Sequence, residues 1–408
     1  MTTLPATLSR RPLPSAVEDA LLTAAMVVLV VGLSWDLLGP IVVASRHGRP
    51  DPFLLDFDAL MIAGKAALRG ELARAYSLDW MRSAQAALGL PAGMWLPFTY
   101  PPTAAILFAP LSALPPTVGY LSFAAVSLVT FLTGVAALGA RGTRAVLLLS
   151  TVPVACFNLR MGQNGLLTAG LAAHGARLWL SDRPGRAGFI AGLATFKPHL
   201  ALGLPLAMLW AREARGVAAF FATAFGLIVL SVAAFGPSPW SAYPAATSLA
   251  ASSLSSGLYP MARLSSAYAA AFGLGLGGGT VWAAHVAALV VVTVATVVAV
   301  CRISDRRVVL GLATLWGVFV SPYVYDYDLA VLSVVAAVLS GPMLRRMTGQ
   351  ACLNLLACLV VGQCAGFAWW TLGGRGGASF DVLLPVALFV LWRLAAGEPA
   401  DAALAEAS

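Results

Sequence analysis

Four short polar stretches interrupt an otherwise apolar chain, and each carries side chains able to do chemistry. Asp56 and Asp58 stand with one residue between them. Arg160, Gln163 and Asn164 share the turn NLRMGQN, Lys197 and His199 flank Pro198, and the run SPYVYDYDL supplies Tyr323, Tyr325, Asp326, Tyr327 and Asp328. Carboxylates accept protons, ammonium and guanidinium groups hold anions, and amides and phenols bond to hydroxyls. Ionisable groups so close to hydrocarbon are costly and mark functional pathways. One of them alone reads equally well as a side chain snorkelling to the interface; four stretches converging on one face read as a site.

The elements that must carry these residues are membrane helices. The 408-residue chain is 60% hydrophobic and only 10% charged, and a soluble protein with so few charges would present a large apolar surface to water. Apolar runs recur from Ala20 to Ala396. At roughly 20 residues per crossing they make about ten spans, or about 10–13 membrane helices with the short or re-entrant ones included. Strand alternation is absent and Leu, Ala, Val and Gly dominate, which predicts an all-α polytopic integral membrane protein and excludes a barrel. The net charge of +8 is scattered at the ends of apolar runs, as topology determinants are, and no nucleic-acid partner is expected. Five cysteines without CxxC spacing argue against a zinc site or disulfide framework. The run from Ala20 to Ala44 is too long for a signal peptide and reads as the first membrane helix.

Basic clusters at Arg10/Arg11, Arg141/Arg144, Arg177/Arg183/Arg186, Arg212/Arg215, Arg302/Arg306/Arg307 and Arg345/Arg346 are assigned to the cytoplasm by the positive-inside rule. All four polar stretches then face outward. The expected organisation is a cytoplasmic segment 1–19, a single transmembrane domain 20–396 with a long outer loop 45–100, and a disordered tail 397–408. In that loop, Phe57, Leu60, Met61, Ala63, Gly64, Ala67 and Leu68 recur at helical spacing, predicting an amphipathic helix on the membrane surface; a second helix is expected from Leu78 to Leu88. GFIAGLATFKPHLALGLPLAMLW, between Arg186 and Arg212, is too short for two spans yet must return to its starting side. It reads as a pair of short helices broken at Pro198, lifting Lys197 toward an outer cavity. By the same parity YPPTAAILFAPLSALPP, residues 100–116, is re-entrant or interfacial.

Taken in order, Asp56-Phe57, Gly64-Lys65-Ala66-Ala67-Leu68-Arg69-Gly70 with Tyr76, Tyr100-Pro101-Pro102, Gly162-Gln163-Asn164, Lys197-Pro198 and Ser321-Pro322-Tyr323 resemble glycosyltransferase family 87, a GT-C superfamily group. The resemblance spans roughly residues 50 to 330. It implies a GT-C-like helical bundle in the bacterial inner (plasma) membrane that transfers a hexose or pentose, mannose foremost, from a polyprenyl-phosphate carrier to a glycan or glycolipid acceptor outside the cytoplasm, with inversion and without a metal or cofactor. Partners are then the lipid-linked donor, the acceptor and membrane lipids.

The resemblance also supplies roles. Asp56 aligns with the family's first-loop Asp, and a carboxylate there can take the acceptor's hydroxyl proton. Asp58 is a helper, a second acceptor contact or a solvated residue, since helical spacing points it away from Asp56. Lys197 is assigned to the donor phosphate, which would compensate a buried ammonium, with Arg160 and His199 as further phosphate contacts. Tyr100 joins the substrate-binding set. Gln163 and Asn164 either bond sugar hydroxyls or satisfy backbone groups at their turn. Where mannosyltransferase members of the family carry a His after Ser-Pro, this chain has none. Asp326 and Asp328 then suggest binding of sugar hydroxyls or a cation, and Tyr323, Tyr325 and Tyr327 either stack on a sugar or form an interfacial belt.

Other fragments carry less. The stretch Gly273 to Gly279 lacks a preceding strand and a phosphate-cradling Lys, so it reads as an outer loop. His174 and His285 sit alone in apolar helices and read as packed and hydrogen-bonded. A transporter or flippase is the competing class, since it too would line a cavity with charges and Pro-broken helices. No inverted repeat is visible, and the ionisable residues gather at one membrane face.

Overall fold

The computed structural model describes residues 15–46, 55–88, 96–346 and 348–395. The tail 397–408 and most of the segment 1–19 lie outside them, as does the side chain of Asp36. Helices α1 (Ser15–Arg46), α2 (Leu55–Leu68), α3 (Leu78–Ala87), α4 (Ala104–Ser112) and α5 (Pro116–Leu138) come first. There follow α6 (Arg144–Leu149), α7 (Val152–Met161), α8 (Gly165–Leu180), α9 (Pro184–Leu193), α10 (Pro198–Ala201), α11 (Gly203–Trp210) and α12 (Ala214–Phe235). The chain closes with α13 (Ser238–Ser255), α14 (Ala267–Gly273), α15 (Gly279–Arg302), α16 (Arg306–Val320), α17 (Ala330–Arg346), α18 (Gly349–Thr371) and α19 (Ala378–Ala395). No strand forms among the described residues; an isolated antiparallel bridge joins Leu264 to Tyr325.

Six helical stretches among the described residues are long and apolar enough to cross a membrane: Pro116–Leu138, Arg144–Met161, Ala214–Phe235, Gly279–Arg302, Asp326–Met343 and Asn354–Thr371. The protein is therefore an all-α, multi-pass membrane protein. Shorter apolar helices at Pro198–Trp210 and Ala378–Val390 and the 32-residue α1 complete the bundle. The span containing α17 is the central one, 83% buried, against 11% for α12, whose Phe221, Phe225 and Val229 are exposed and face lipid.

Small residues let the helices close on each other. Gly188 and Gly192 of α9 meet the backbone of α12 at Gly216 and Phe220, so these two helices run parallel, with the short α10 and α11 returning the chain between them. The break expected at Lys197-Pro198 is present: a 3-10 turn Ala194–Phe196 precedes it, and Lys197 leaves helical geometry with φ −123 and ψ 78, as a residue before proline must. α4 is correspondingly short. Gly39-Pro40, by contrast, does not break α1.

The first outer loop departs from expectation in one respect. α3 is amphipathic, burying Met81 and Gln85, whereas α2 is packed inside the protein on more than one side. Phe57, Ala59, Leu60, Met61, Ile62, Ala63, Ala66 and Ala67 are all buried. Phe57 packs against Tyr120 and Phe123 of α5, and Gly64 lies so close to the Phe108 carbonyl of α4 that a Cβ would be 2.5 Å from its oxygen. Packing on both sides overrides the helix's weak polar face and draws its first turn, with Asp56, into the protein.

Candidate active site

Six segments bring the polar groups together at the end of the bundle opposite the arginine-bearing ends of α8, α16 and α17. α8 begins at this end and runs away from it, as does α17, and α16 arrives here from Arg306. The α7–α8 turn touches α2 through Gly162, whose φ is +63 and whose added Cβ would lie 2.4 Å from the Phe57 Cβ. Only glycine meets both requirements, and the result is that Gln163 reaches the carboxylate of Asp56. Gly165 opens α8 beneath the Tyr327 carbonyl. Asn158, fully buried, ties these pieces: its Nδ2 donates to the carbonyls of Val154 and Tyr327, both at 2.8 Å, and its Oδ1 accepts from the Leu166 N–H.

Asp56 is half-buried in the first turn of α2. Withdrawal from water pushes its carboxyl above the ordinary carboxylate range; the Gln163 hydrogen bond and the charges of Arg263 and Lys197 oppose that shift without cancelling it. A relay stands behind it. The Tyr76 hydroxyl donates to the Tyr100 carbonyl at 2.9 Å, and the Tyr100 hydroxyl donates to Gln163 Oε1 at 3.0 Å. Asn164 is wholly buried beside Tyr100, yet neither amide atom makes a well-formed hydrogen bond. An amide left so costs about 1–3 kcal/mol, which suits a group that bonds to an incoming ligand.

Two ion pairs complete the site. Lys197, 5% exposed, donates to Asp328 Oδ1 at 2.5 Å and sits 5.1 Å from the centre of the Tyr327 ring. Arg263 forms a two-pronged pair with Asp326, Nε to Oδ2 and Nη2 to Oδ1, each 2.8 Å. The rings of Tyr325, Tyr327, Phe367 and Trp370 surround its guanidinium at 5.6–5.9 Å. Backbone donors hold both carboxylates: the Tyr327 N–H bonds to Asp326 Oδ1 and the Tyr325 N–H to Asp328 Oδ2. The Leu264–Tyr325 bridge and the bond from Ser265 N–H to the Val324 carbonyl fasten the Arg263 segment to this turn.

The structure thus gathers Asp56, Tyr100, Gln163, Asn164, Lys197, Asp326 and Asp328 into one cluster. His199 lies at its edge, half-buried, within electrostatic reach of Asp328 and Lys197, its Nε2 unpartnered. Arg160 is exposed on the last turn of α7, while its neighbour Met161 touches Arg263. Tyr323 packs edge-on against Tyr259. Asp58, half-buried, follows Asp56 two positions along α2, which turns it to another face. Tyr325 and Tyr327 stack on each other at 5.0 Å and on Arg263. Sequence reasoning missed Arg263 altogether. The signal available was a charge count: two acids in DYD, both buried, need two cations, and Lys197 is one.

His174 bonds to the Thr130 carbonyl and Thr133 hydroxyl, and His285 is packed against Tyr268 and Trp282. Among the described residues, no three His, Cys, Asp or Glu side chains are placed to hold a metal ion.

Compared with known proteins, residues 98–325 match the family model for glycosyltransferase family 87, more than half of the 408-residue chain. The match includes Tyr100, Gln163, Asn164, Lys197 and Arg263; it begins after Asp56 and ends one residue before Asp326. No curated protein and no solved structure matches the chain.

Proposed function

The chain belongs to glycosyltransferase family 87 and is a multi-pass membrane glycosyltransferase, and from that premise we propose that it moves a sugar, mannose foremost, from a polyprenyl-phosphate carrier to a glycan or glycolipid acceptor with inversion. The observation that carries this reading is Asp56: a half-buried carboxylate at the head of α2, bonded to Gln163, with two buried cations in electrostatic reach.

In the proposed step Asp56 accepts the proton of the acceptor hydroxyl as its oxygen attacks the anomeric carbon. The bond between that carbon and the phosphate oxygen breaks on the opposite face, and its electron pair leaves with the lipid phosphate, so one displacement inverts the configuration. Lys197 stabilises the charge on the departing phosphate. Tyr100 and Gln163 hold Asp56 in place, and Asn164, with both amide atoms free for a ligand, bonds sugar or acceptor hydroxyls. The arginine-rich ends of α8, α12 and α16 lie at the other end of the bundle, which supports a site facing the periplasm of a bacterial inner membrane.

The test is transfer of radiolabelled sugar from a panel of polyprenyl-phosphate sugars to envelope lipid, in membranes holding the wild-type protein or Asp56→Asn at matched levels. Loss of general-base catalysis should lower transfer by about 10²–10⁴-fold. Equal transfer by both proteins would remove Asp56 as base, and no transfer from any donor would remove the carrier class.

A further inference from the structure

Both cations that face Asp56 are already paired inside the protein, and this bears on how an anionic donor is held and released. Arg263 is locked: two parallel bonds to Asp326, four rings around the guanidinium, and a backbone bond to the same carboxylate. Lys197 is held by one hydrogen bond to Asp328. An ammonium is a compact charge with three donors on a flexible stem, so it can engage a second anion before it leaves the first. The fork of Arg263 has no such freedom. A phosphate entering the site must therefore compete with a carboxylate, and the pair that yields is Lys197–Asp328.

Asp328 can lose Lys197 without being left bare. Its Oδ2 already accepts the Tyr325 N–H, and the unpartnered Nε2 of His199 belongs to a residue within electrostatic reach of it. The charge balance gives the competition a direction. With Asp56, Asp326 and Asp328 ionised against Lys197 and Arg263, three carboxylates face two cations and the site carries one net negative charge. A glycosyl lipid phosphate is a diester with one negative charge, whereas the lipid phosphate left after transfer is a monoester with about 1.5 to 2 at neutral pH. Asp328 repels the product more than the donor.

We propose that Asp328 is an internal competitor for the donor phosphate: it holds Lys197 until the donor binds, yields it to the donor, and reclaims it to expel the lipid phosphate after transfer. The proposal rests on the reading of Lys197 as the phosphate-binding cation. Asp328 is on this view a positioning residue, and its effect falls on product release, a step that commonly limits turnover.

The experiment is calorimetric binding of a short-chain isoprenyl monophosphate to the full-length purified protein as wild type, Asp328→Asn, Lys197→Gln and the double variant. Removing a like charge beside the phosphate should make Asp328→Asn bind about tenfold tighter. Lys197→Gln should bind about tenfold more weakly, and the double variant, relieved of the same like charge but lacking the cation, should bind more tightly than Lys197→Gln and more weakly than Asp328→Asn. If Lys197→Gln binds as wild type does, the reading of Lys197 fails and the competition with it. If Lys197→Gln binds weakly but Asp328→Asn binds no tighter than wild type, Lys197 keeps its role and the competition alone is overturned. A second measurement needs no variant. Wild-type protein at about pH 8 should bind the methyl diester of the same isoprenyl phosphate about threefold tighter than the doubly charged monoester, and tighter binding of the monoester would sink the proposal.

Discussion

A single methyl group placed at Gly165 should disable the site without touching any side chain that does chemistry. An added Cβ there would lie 2.3 Å from the Tyr327 carbonyl oxygen and 2.7 Å from Asn158 Oδ1, where ordinary contact starts at 3.4 Å. The Tyr327 oxygen is backbone, and it already accepts the Asn158 amide at 2.8 Å, so it cannot rotate aside. It must retreat by about 1 Å, and Tyr327 lies between Asp326 and Asp328, so both ion pairs move with it. Displacements of about 1 Å in a catalytic constellation cost about 10²-fold, equivalent to about 2.7 kcal/mol of barrier. The assay is kcat/KM for sugar transfer by purified Gly165→Ala protein in proteoliposomes, with Gly226→Ala as control. Gly226 lies on α12 with nothing within 4 Å of an added Cβ, so that substitution should leave transfer unchanged and the helix no weaker, since Ala exceeds Gly in helix propensity by up to about 1 kcal/mol. A folded Gly165→Ala protein within about threefold of wild type would refute the claim that this carbonyl sets the geometry.

Two further outcomes follow from the same contacts. A general base works only when deprotonated, and burial holds the Asp56 carboxyl above the ordinary value of 3.8; the acidic limb of the pH–kcat/KM profile should therefore fall at a higher pH than an unperturbed Asp would give, and Gln163→Leu, which removes the bond that favours the carboxylate, should move it higher still, so an unshifted limb would exclude Asp56 as the titrating group. For the Arg263–Asp326 pair, Arg263→Met alone strands a buried carboxylate and should cost about 3–5 kcal/mol in unfolding, while Arg263→Met with Asp326→Leu should recover most of that loss; denaturation of both variants in detergent checks it, and equal destabilisation would show that the pair is not the source.

The fold was legible where physical constraints act locally. Apolar length forces spanning helices, parity forced the short segments around Lys197 and after Tyr100, and Pro198 marks its own break because it lacks an N–H and excludes helical geometry before it. The burial of α2 was not legible, because it depends on what covers the helix. Gly64 and Gly162 stand in the motifs that carry the family resemblance, but only the approach of the Phe108 carbonyl and the Phe57 side chain reveals that they seat α2 against α4 and the α7–α8 turn. Asp56 is thereby drawn into the protein.

The site divides the same way. Asp56, Gln163, Asn164 and Lys197 stand in short motifs whose types and order point outward together, and topology alone brings them to one face. Arg263 stands in no motif; its neighbours Ala262 and Leu264 are apolar, and a lone basic residue in an outer segment reads as a surface charge. Yet Asp326 is completely buried, and a buried carboxylate demands a partner. With Lys197 already committed to Asp328 by their single short bond, the second acid of DYD requires a second cation from elsewhere in the chain. Charge conservation in a medium that cannot screen it therefore carries information that spacing does not. In a chain with so few charged residues, asking which cation each buried acid must find narrows the search for long-range contacts more sharply than any motif here.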